Sequence, residues 1–513
     1  MSTICVKNDE NGIRTLYAGD KPFFCRAGEI HNSSASDPEY MKKHVWPNLR
    51  GLHMNSVIAP VYFEMIEETE GSYDFTSVDE LILGARGEGL KLIILWFGLW
   101  KNAESMYVPG WMKKDPETYF RAEKAGGVRM TTVSPLCDAA VEKDALAFSS
   151  LLRHIREFDE EEQTVIMIQV ENEIGLLGTD RDYSPAAEKA FSEAVPQKVA
   201  EIAGKTGTWS EVFGEDAGEN FMAFYFALAV ERIASCGKKE YDLPCYANAW
   251  LRQYPWFPGS YPSGGPVETT QAIWRSTAPS LFAFAPDIYV PYCADVMDTY
   301  ASKENPLFIP EIRKDAVTAS YALYAFCEKN AIGYSPFGIE ELALDPSEVD
   351  KPPMEVMIAL NIDPSAFDIS DSKDYLAAVY QLMEEMEPLY LKLRGTDHLK
   401  AFVRHGENDN GTYLRFTDYD LTVSYAPRQT AKPLGSGVVI ELAPDTFLIA
   451  GMSCSMEFRV KPGCTAQADI LRLEEGSLKG GEWKPGRILN GDEKMSLSFG
   501  PMVKMLRIKL YQF

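Results

Sequence analysis

Along residues 1–395, short apolar runs rich in β-branched and aromatic residues alternate with stretches whose apolar positions recur at helical spacing. Nearly continuous apolar strands separated by helices are typical of a parallel sheet in an α/β protein. Eight such strands predict a (β/α)8 TIM barrel. An open, doubly wound sheet is the alternative, although no GxGxxG follows the first strand. The predicted strands are FFCRAGEIH (23–31), NSVIAPVYFE (55–64), KLIILWFG (91–98), TVIMIQVENE (164–173), LPCYANAW (243–250), DIYVPYC (287–293), PLFIPEI (306–312) and AIGYSPFG (331–338).

The pattern changes after a last long helical stretch, SKDYLAAVYQLMEEMEPLYLKL (372–393). From residue 396 onward, short alternating runs are separated by turn residues, which is typical of antiparallel strands. Examples of these runs are LTVSYA, GSGVVIEL, TFLIAG and MLRIKLYQF. We therefore predict two domains, a catalytic (β/α)8 barrel over residues 1–395 and a smaller all-β, sandwich-like domain over residues 396–513.

Composition narrows the classes of partner and cofactor. The formal net charge of −25 disfavours binding to a phosphate backbone, so we expect no nucleic acid partner. The N-terminus lacks a basic segment followed by an apolar stretch, and no run is long and apolar enough to span a bilayer. We expect no membrane partner and a cytoplasmic location. Nine cysteines without a CxxC pair and six histidines without metal-ligand spacing predict free thiols, no metal and no cofactor.

Carboxylates end two of the predicted barrel strands. Alternation along strand four puts Glu171 and Glu173 on one face, at the C-terminal end where barrel active sites lie. Taken alone, charges that begin a helix explain this pair equally well. Glu311 ends strand seven, which faces strand four across a barrel mouth. Two carboxylates that converge on one cavity are the arrangement used in glycoside hydrolysis, and one of them is expected to stay protonated near neutral pH.

These residues carry a resemblance to a known family. QVENEIG (169–175) and the strand-seven glutamate resemble the retaining β-glycosidases built on (β/α)8 barrels, and among them glycoside hydrolase family 35, the β-galactosidases. The segment KPFFCRAGEIHNSSASDPEYMKKHVWPNLRGLHMNSV (21–57) is similar to the family's opening strand and helix, and EETEGSYDF (67–75) to its EP-x-x-G-x-YDF turn. GGPVETTQAIWRSTAPSLFAFAPDIYVP (264–291) resembles the branch that carries an extra C-terminal domain of unknown function.

The resemblance implies roles for three residues. Glu173 would be the general acid/base and Glu311 the nucleophile that forms a covalent glycosyl-enzyme. Asn172 would hydrogen-bond the sugar 2-hydroxyl, a contact that strengthens in the transition state. The chemistry requires no cofactor.

Several further positions are candidates for substrate binding. YFEMIE (62–67) stands where the family has FWN-x-HE, so Glu64 occupies the asparagine position. In the stretch that corresponds to the family's RPGPYICAEW, Glu104 keeps the glutamate and Asn102 is a polar neighbour. These departures affect the pocket that selects the sugar. The sequence therefore supports glycoside hydrolysis more strongly than it supports galactose as the sugar.

Aromatic residues near the predicted strand ends are candidates as well. Tyr292 is predicted to donate its hydroxyl to Glu311 and keep that carboxylate ionised. Trp250 is predicted to stack on a sugar face, one of four tryptophans near strand ends, of which we expect only one or two to touch substrate. The others are Trp96, Trp100 and Trp111. Glu29, on the first strand, is a minor candidate.

The leading hypothesis is a retaining exo-β-galactosidase that hydrolyses terminal β-galactosyl residues of oligosaccharides. Another β-glycosidase or transglycosylase of the same type, acting on glucosyl, glucosaminyl or galactofuranosyl groups, is the alternative within enzymes. A carbohydrate-binding protein without turnover is the alternative outside them. The expected partner is an oligosaccharide or glycoside substrate, and the sequence leaves open whether the chain forms a homo-oligomer.

Overall fold

The computed structural model describes residues 4–489, 491–494 and 497–513, so the first three residues of the predicted barrel domain lie outside the described residues. The first thirteen strands include a three-stranded N-terminal sheet, β1 to β3, and a hairpin, β7 and β8. These strands are, in chain order, β1 (Cys5–Asn8), β2 (Arg14–Ala18), β3 (Lys21–Phe23), β4 (Cys25–Arg26), β5 (Ser56–Tyr62), β6 (Lys91–Lys101), β7 (Arg121–Lys124), β8 (Val128–Val133), β9 (Val165–Asn172), β10 (Cys245–Trp250), β11 (Leu281–Ile288), β12 (Phe308–Ile312) and β13 (Gly333–Pro336).

Eight of these strands form one parallel sheet in the order β4-β13-β12-β11-β10-β9-β6-β5. Just beyond β4, Glu29 bridges Ile58 of β5 in parallel, and the Ile30 N–H donates to the Ile58 carbonyl at 3.1 Å. This bridge joins the two ends of the sheet. The predicted (β/α)8 barrel is confirmed.

The sixth barrel strand differs from the prediction. β11 covers Leu281–Ile288, whereas the predicted run 287–293 shares only its last two residues. The true strand contains three alanines or prolines of low β propensity, and Pro286 lies within it opposite Ala249. Apart from Ile288, the β-branched and aromatic residues that suggested a strand belong to the loop that follows.

Helices cover the outside of the barrel and fill a long excursion between β9 and β10 that contains α7 to α10. The helices are α1 (Pro38–Tyr40), α2 (Trp46–Leu49), α3 (Phe63–Ile66), α4 (Thr76–Gly87), α5 (Gly110–Lys113), α6 (Asp138–Asp159), α7 (Pro185–Ser192), α8 (Gln197–Ala203), α9 (Trp209–Phe213), α10 (Ala217–Glu240), α11 (Gln271–Thr277), α12 (Cys293–Tyr300), α13 (Thr318–Cys327), α14 (Met354–Ala359) and α15 (Ser372–Leu393). The last helix has the bounds that the sequence predicts. Within the described ranges, no helix combines the length and apolarity needed to cross a bilayer.

The C-terminal region is all-β, as predicted, and forms two antiparallel sheets in the orders β14-β17-β18-β23-β20-β21 and β15-β16-β19-β22. Inward side chains such as Phe447 and Leu421 form a shared apolar core. The strands are β14 (Leu399–Val403), β15 (Gly411–Arg415), β16 (Tyr419–Tyr425), β17 (Ser436–Ala443), β18 (Thr446–Met452), β19 (Cys454–Val460), β20 (Ala468–Lys479), β21 (Glu482–Ile488), β22 (Leu497–Phe499) and β23 (Lys504–Gln512).

Helix α13 joins the barrel to this region. All of its residues are buried, because β14 and β17 cover the side that a barrel helix ordinarily turns to water. The Ser320 hydroxyl donates to the Leu434 carbonyl at 3.0 Å across the contact. One apolar core runs from the barrel to Leu399 and Val438. The domain boundary at residues 395 and 396 stays a prediction.

Candidate active site

The strand β9 delivers Asn172 and Glu173 to the C-terminal end of the barrel. Every residue of β9 is buried, and the Glu173 N–H donates to Asn248 Oδ1 of β10 at 2.8 Å. Glu171 and Glu173 have φ values of 64° and 46°, which non-glycine residues adopt only at a cost in backbone strain. The strand alternation that predicted a shared face for these two glutamates therefore ends here.

Glu311 lies on β12 and is held by a tyrosine from the neighbouring strand end. The Tyr289 hydroxyl donates to Glu311 Oε1, and this tyrosine follows β11 directly. Glu311 Oε2 is buried and has no protein partner. One carboxylate oxygen is thus fixed by the protein while the other remains available for a ligand.

The amide of Asn172 is oriented by a buried lysine. Lys101 Nζ, at the end of β6, donates to Asn172 Oδ1 at 2.9 Å. Since a lysine ammonium can only donate, the oxygen of the amide must face Lys101. The Asn172 Nδ2 group is buried without a protein partner. It is therefore a free donor.

Burial and charge act together on Glu173. Burial, and after it the negative charge of Glu311, raise the pKa of the Glu173 carboxyl to about 8, against the opposing effect of Lys101. Asp287 lies beside it on β11, held by Asn248 Nδ2 at 2.6 Å. Burial and the charges of Glu311 and Glu173 raise the pKa of Asp287 well above its usual range. At neutral pH, the site therefore keeps Glu173 mostly protonated.

Two further carboxyl groups belong to this end of the barrel. Glu29 follows β4, is buried, and has no hydrogen-bond partner on either carboxylate oxygen. Burial and the charge of Glu311 raise the pKa of Glu29 well above its usual range. Glu340 accepts hydrogen bonds from the His31 N–H and the Ser34 hydroxyl through Oε1, and its Oε2 is free. A polar ligand could satisfy these buried oxygens.

Glu171 has a structural environment instead. Its oxygens accept hydrogen bonds from the backbone N–H groups of Leu99 (3.2 Å) and Trp100 (2.7 Å). Burial and the adjacent Asp144 raise the pKa of Glu171 well above its usual range. Asp144 itself accepts from Trp96 Nε1 at 2.8 Å. Glu171 and Asp144 therefore support the end of β6. Glu171 does not begin a helix, which was the alternative to a catalytic role.

The structure separates the remaining predicted binding residues. Asn102 is half-buried with a buried, unpartnered Oδ1, and Glu104 is exposed with its backbone paired to Lys101. Glu64 is half-exposed and accepts from Lys113 Nζ at 3.1 Å. Within the described part of the chain it has no hydrogen bond to the catalytic candidates. Trp250 is half-buried at the end of β10, in register with Asp287.

The hydrogen bond predicted from Tyr292 to Glu311 is made by Tyr289 instead. Tyr292 instead lines a cavity of about 440 Å³ with Arg404 and His405 of the C-terminal region. Among the described residues, one group could hold a metal ion, and it lies at the edge of this cavity: Asp295, Asp298 and His405, whose ligand atoms lie within 4.8 Å of one another. These side chains are largely exposed, and His405 Nδ1 already contacts Asp295 at 2.7 Å.

Sequence reasoning missed Tyr289, Asp287 and Asn248. A correct boundary for β11 would have placed Asp287 inside the strand end and Tyr289 immediately after it. Asn248 carried no signal of its own, since it lies inside a run of strand residues. Trp96 and Trp100 are fully buried and serve packing, whereas Trp111 is half-buried and donates to the Glu67 carbonyl.

Two family models match parts of the chain. Residues 15–229 match the model of Glycosyl hydrolases family 35, and residues 376–499 match a domain of unknown function, DUF5597. The first match includes Glu173 and ends before Glu311. Both parts of the resemblance drawn from the sequence are thereby confirmed. No curated protein matches the chain.

Three solved structures are similar at low sequence identity. The β-galactosidase from the psychrophilic Marinomonas ef1 is 13% identical over 71% of this chain and 60% of that one, with a TM-score of 0.46. The catalytic domain of β-amylase from Paenibacillus polymyxa is 11% identical over 62% and 92%, with a TM-score of 0.47. A family 39 glycoside hydrolase from the gut symbiont Bacteroides cellulosilyticus WH2 is 12% identical over 96% and 84%, with a TM-score of 0.45. The chain thus spans less than two thirds of the Marinomonas protein.

Proposed function

We propose that this β-galactosidase-like glycoside hydrolase is a retaining exo-β-galactosidase that uses Glu173 as acid/base and Glu311 as nucleophile. The observation that carries the proposal is the difference between the two carboxyl groups. Glu173 is buried with a pKa raised to about 8, whereas Glu311 receives a hydrogen bond from Tyr289. Unlike environments for two neighbouring carboxyl groups support unlike roles.

In the first step, Glu311 Oε2 attacks the anomeric carbon while Glu173 gives its proton to the departing glycosidic oxygen. Tyr289 supports this attack because it orients the carboxylate through the other oxygen. The products of the step are the free aglycone alcohol and a covalent galactosyl ester on Glu311. In the second step, ionised Glu173 takes a proton from water, whose oxygen attacks the same carbon and releases Glu311. Two inversions give net retention.

Asn172 is proposed to bind the sugar 2-hydroxyl through its free Nδ2. Lys101 supports this role because it fixes the amide with the nitrogen turned away from the ammonium group. Glu29 and Glu340 are proposed to accept hydrogen bonds from further sugar hydroxyls, since both have buried carboxylate oxygens without partners. Trp250 and Asn102 remain candidates for substrate contacts. Glu64 and Tyr292 have little support, because their contacts lie elsewhere.

Residues 1–395 are proposed as the catalytic domain and residues 396–513 as a supporting β-domain. The cytoplasmic location and the formation of a homo-oligomer stay predictions from the sequence.

The test is hydrolysis of nitrophenyl β-galactoside, β-glucoside, β-glucosaminide and β-galactofuranoside, with the first anomer released identified by NMR. We expect the galactoside to be cleaved with retention, and Glu311→Gln to abolish turnover without loss of thermal stability. Glu117→Gln, an equivalent change at an exposed side chain, serves as the control. Cleavage of another glycoside would correct the sugar, release of the inverted anomer would exclude the double displacement, and silence across the panel would favour a binding protein.

A further inference from the structure

The loop after β10 exposes three large aromatic side chains. Tyr254, Trp256 and Phe257 are 65%, 50% and 58% exposed, which is unusual for three aromatic residues within four positions. Trp256 has a φ of 70°, a left-handed conformation that is strained for a bulky residue. Strain of this kind concentrates at functional sites.

A second apolar surface lies beside this loop. Helix α14 exposes Met354, Val356 and Ile358 and buries only Met357. Gln253 Nε2 donates to the Leu360 carbonyl at 2.6 Å. The side-chain amide of Asn361 also donates to the Tyr254 carbonyl. These two hydrogen bonds tie the aromatic loop to the end of α14. The exposed apolar side chains of both segments are here called the apolar rim: Tyr254, Trp256, Phe257, Met354, Val356 and Ile358.

Both ends of the aromatic loop lie beside the catalytic candidates. The loop leaves β10 at Trp250, two residues after the asparagine that holds the Glu173 N–H. It returns at Ser263, which pairs with Leu176, and Pro262 packs directly against Gly175. Both ends of the loop thus lie within a few residues of Glu173 or of its backbone partner.

The α14 side of the rim is connected to the nucleophile. The Asp363 N–H donates to the Tyr289 carbonyl at 3.0 Å, and the rings of Phe367 and Tyr289 stack with centroids 5.6 Å apart. Tyr289 in turn holds Glu311. The apolar rim is thus attached to the acid/base side of the site through the loop after β10, and to the nucleophile side through the segment that follows α14.

We propose that the apolar rim binds the leaving-group portion of the substrate, and that this portion is an apolar aglycone, aromatic or alkyl, rather than a further sugar. The inference rests on the proposed function. The acid/base protonates the glycosidic oxygen, so the aglycone leaves on the side of Glu173, where the loop begins and ends. The rim presents aromatic and aliphatic side chains without a charged residue among its six members. Only Tyr254 and Trp256 among them carry a hydrogen-bonding group, and the aliphatic side chains of α14 offer a sugar neither a hydrogen bond nor an aromatic face, which favours an apolar aglycone.

Three kinds of β-galactoside with the same glycon test the inference. Galactosyl fluoride has no organic aglycone, lactose has a sugar aglycone, and octyl and naphthyl galactosides have apolar aglycones. We expect Trp256→Ala to lower kcat/KM for the octyl and naphthyl substrates about tenfold, chiefly through KM, and to leave galactosyl fluoride unchanged. Ile358→Ser should act in the same direction. Tyr40→Ala and Ile202→Ser, which remove exposed apolar side chains elsewhere, are the matched controls.

Each outcome has a distinct meaning. Equal losses on all three substrates, or no loss on any, would overturn the inference while leaving the galactosidase in place. A loss confined to lactose would assign the rim to a sugar and overturn the apolar class. If the wild type turned over none of these substrates, galactosyl fluoride included, the proposed function itself would fall.

Discussion

The raised pKa of Glu173 leads to a quantitative prediction for catalysis. At a pKa of about 8, about nine tenths of the Glu173 carboxyls carry a proton at pH 7, whereas at the ordinary value of 4.5 the fraction would be about 0.3%. The environment of Glu173 thus raises the population of the competent acid about 300-fold. Substrates that need protonation of the leaving group should depend on this population.

The perturbation is Glu173→Ala, compared on methyl β-galactoside and on dinitrophenyl β-galactoside. Methanol is a poor leaving group and needs the proton, so we expect kcat/KM to fall about 10²- to 10⁴-fold for this substrate. Dinitrophenolate leaves without protonation, so the formation of the glycosyl-enzyme should change little. In the wild type, kcat/KM for the methyl glycoside should decline with an apparent pKa near 8.

Two results would refute this reasoning. An alkaline decline that persists in Glu173→Ala would show that another group titrates, and equal losses on both substrates would remove Glu173 from the role of acid. A decline near pH 5 in the wild type would mean that burial and Glu311 do not shift the carboxyl as described.

The same pKa shift should appear in stability. Because the folded-state pKa lies above the unfolded value of about 4.5, the stabilisation from the bound proton is complete below that value and is lost as pH rises to about 8. Glu173→Gln removes this dependence, so its free energy of unfolding should exceed that of the wild type increasingly up to about pH 8. The slope of the difference should be about 1.4 kcal/mol per pH unit. Urea unfolding across this range measures it, and a constant difference would contradict the linkage.

Three other substitutions, two of them with a matched control, follow from the geometry. Lys101→Met should lower kcat/KM about 10- to 100-fold, because Asn172 loses its charged donor. It should also move the alkaline decline upward, because the lysine charge lowers the pKa of Glu173; a pH–rate profile that keeps its position would contradict this. Tyr289→Phe should lower kcat about tenfold or more, whereas Tyr292→Phe should have nearly wild-type kinetics, and similar losses in both would mean that the hydrogen bond to the nucleophile is unimportant. Gly98→Ala should destabilise the protein by about 1–3 kcal/mol, since a methyl group there would lie 2.4–2.5 Å from the buried atoms behind β6. Gly87→Ala, in open space on α4, should stabilise it by about 0.5–1 kcal/mol. Chemical denaturation distinguishes the two.

The barrel could be predicted because each strand is buried on both faces and therefore appears as a continuous apolar run. β9 and β12 are of this kind, and their terminal glutamates interrupt the pattern visibly. β11 is buried as well, but its two alanines and Pro286 have low β propensity, so its sequence did not indicate a strand. The resulting error of several residues was enough to assign the tyrosine hydroxyl to the wrong position.

The site could be predicted only as far as strand ends determine it. The strand tips indicated Asn172 and Glu173, but the contacts of Lys101 and Asn248 depend on side chains from adjacent strands, which no local pattern records. The position of Glu64 in α3 follows from the turn that ends β5, and this turn directs the side chain to Lys113. The resemblance of the surrounding segment could not show that.

The complete burial of α13 has a consequence for how the molecule folds and can be divided. Truncation after residue 395 should destabilise the barrel, because it would expose the apolar side chains of α13 that β14 and β17 cover. The barrel and the β-sheets should therefore unfold in a single cooperative transition, and the barrel should not be transferable as a module. In this protein, the C-terminal sheets complete the hydrophobic core of the enzyme rather than being attached to it.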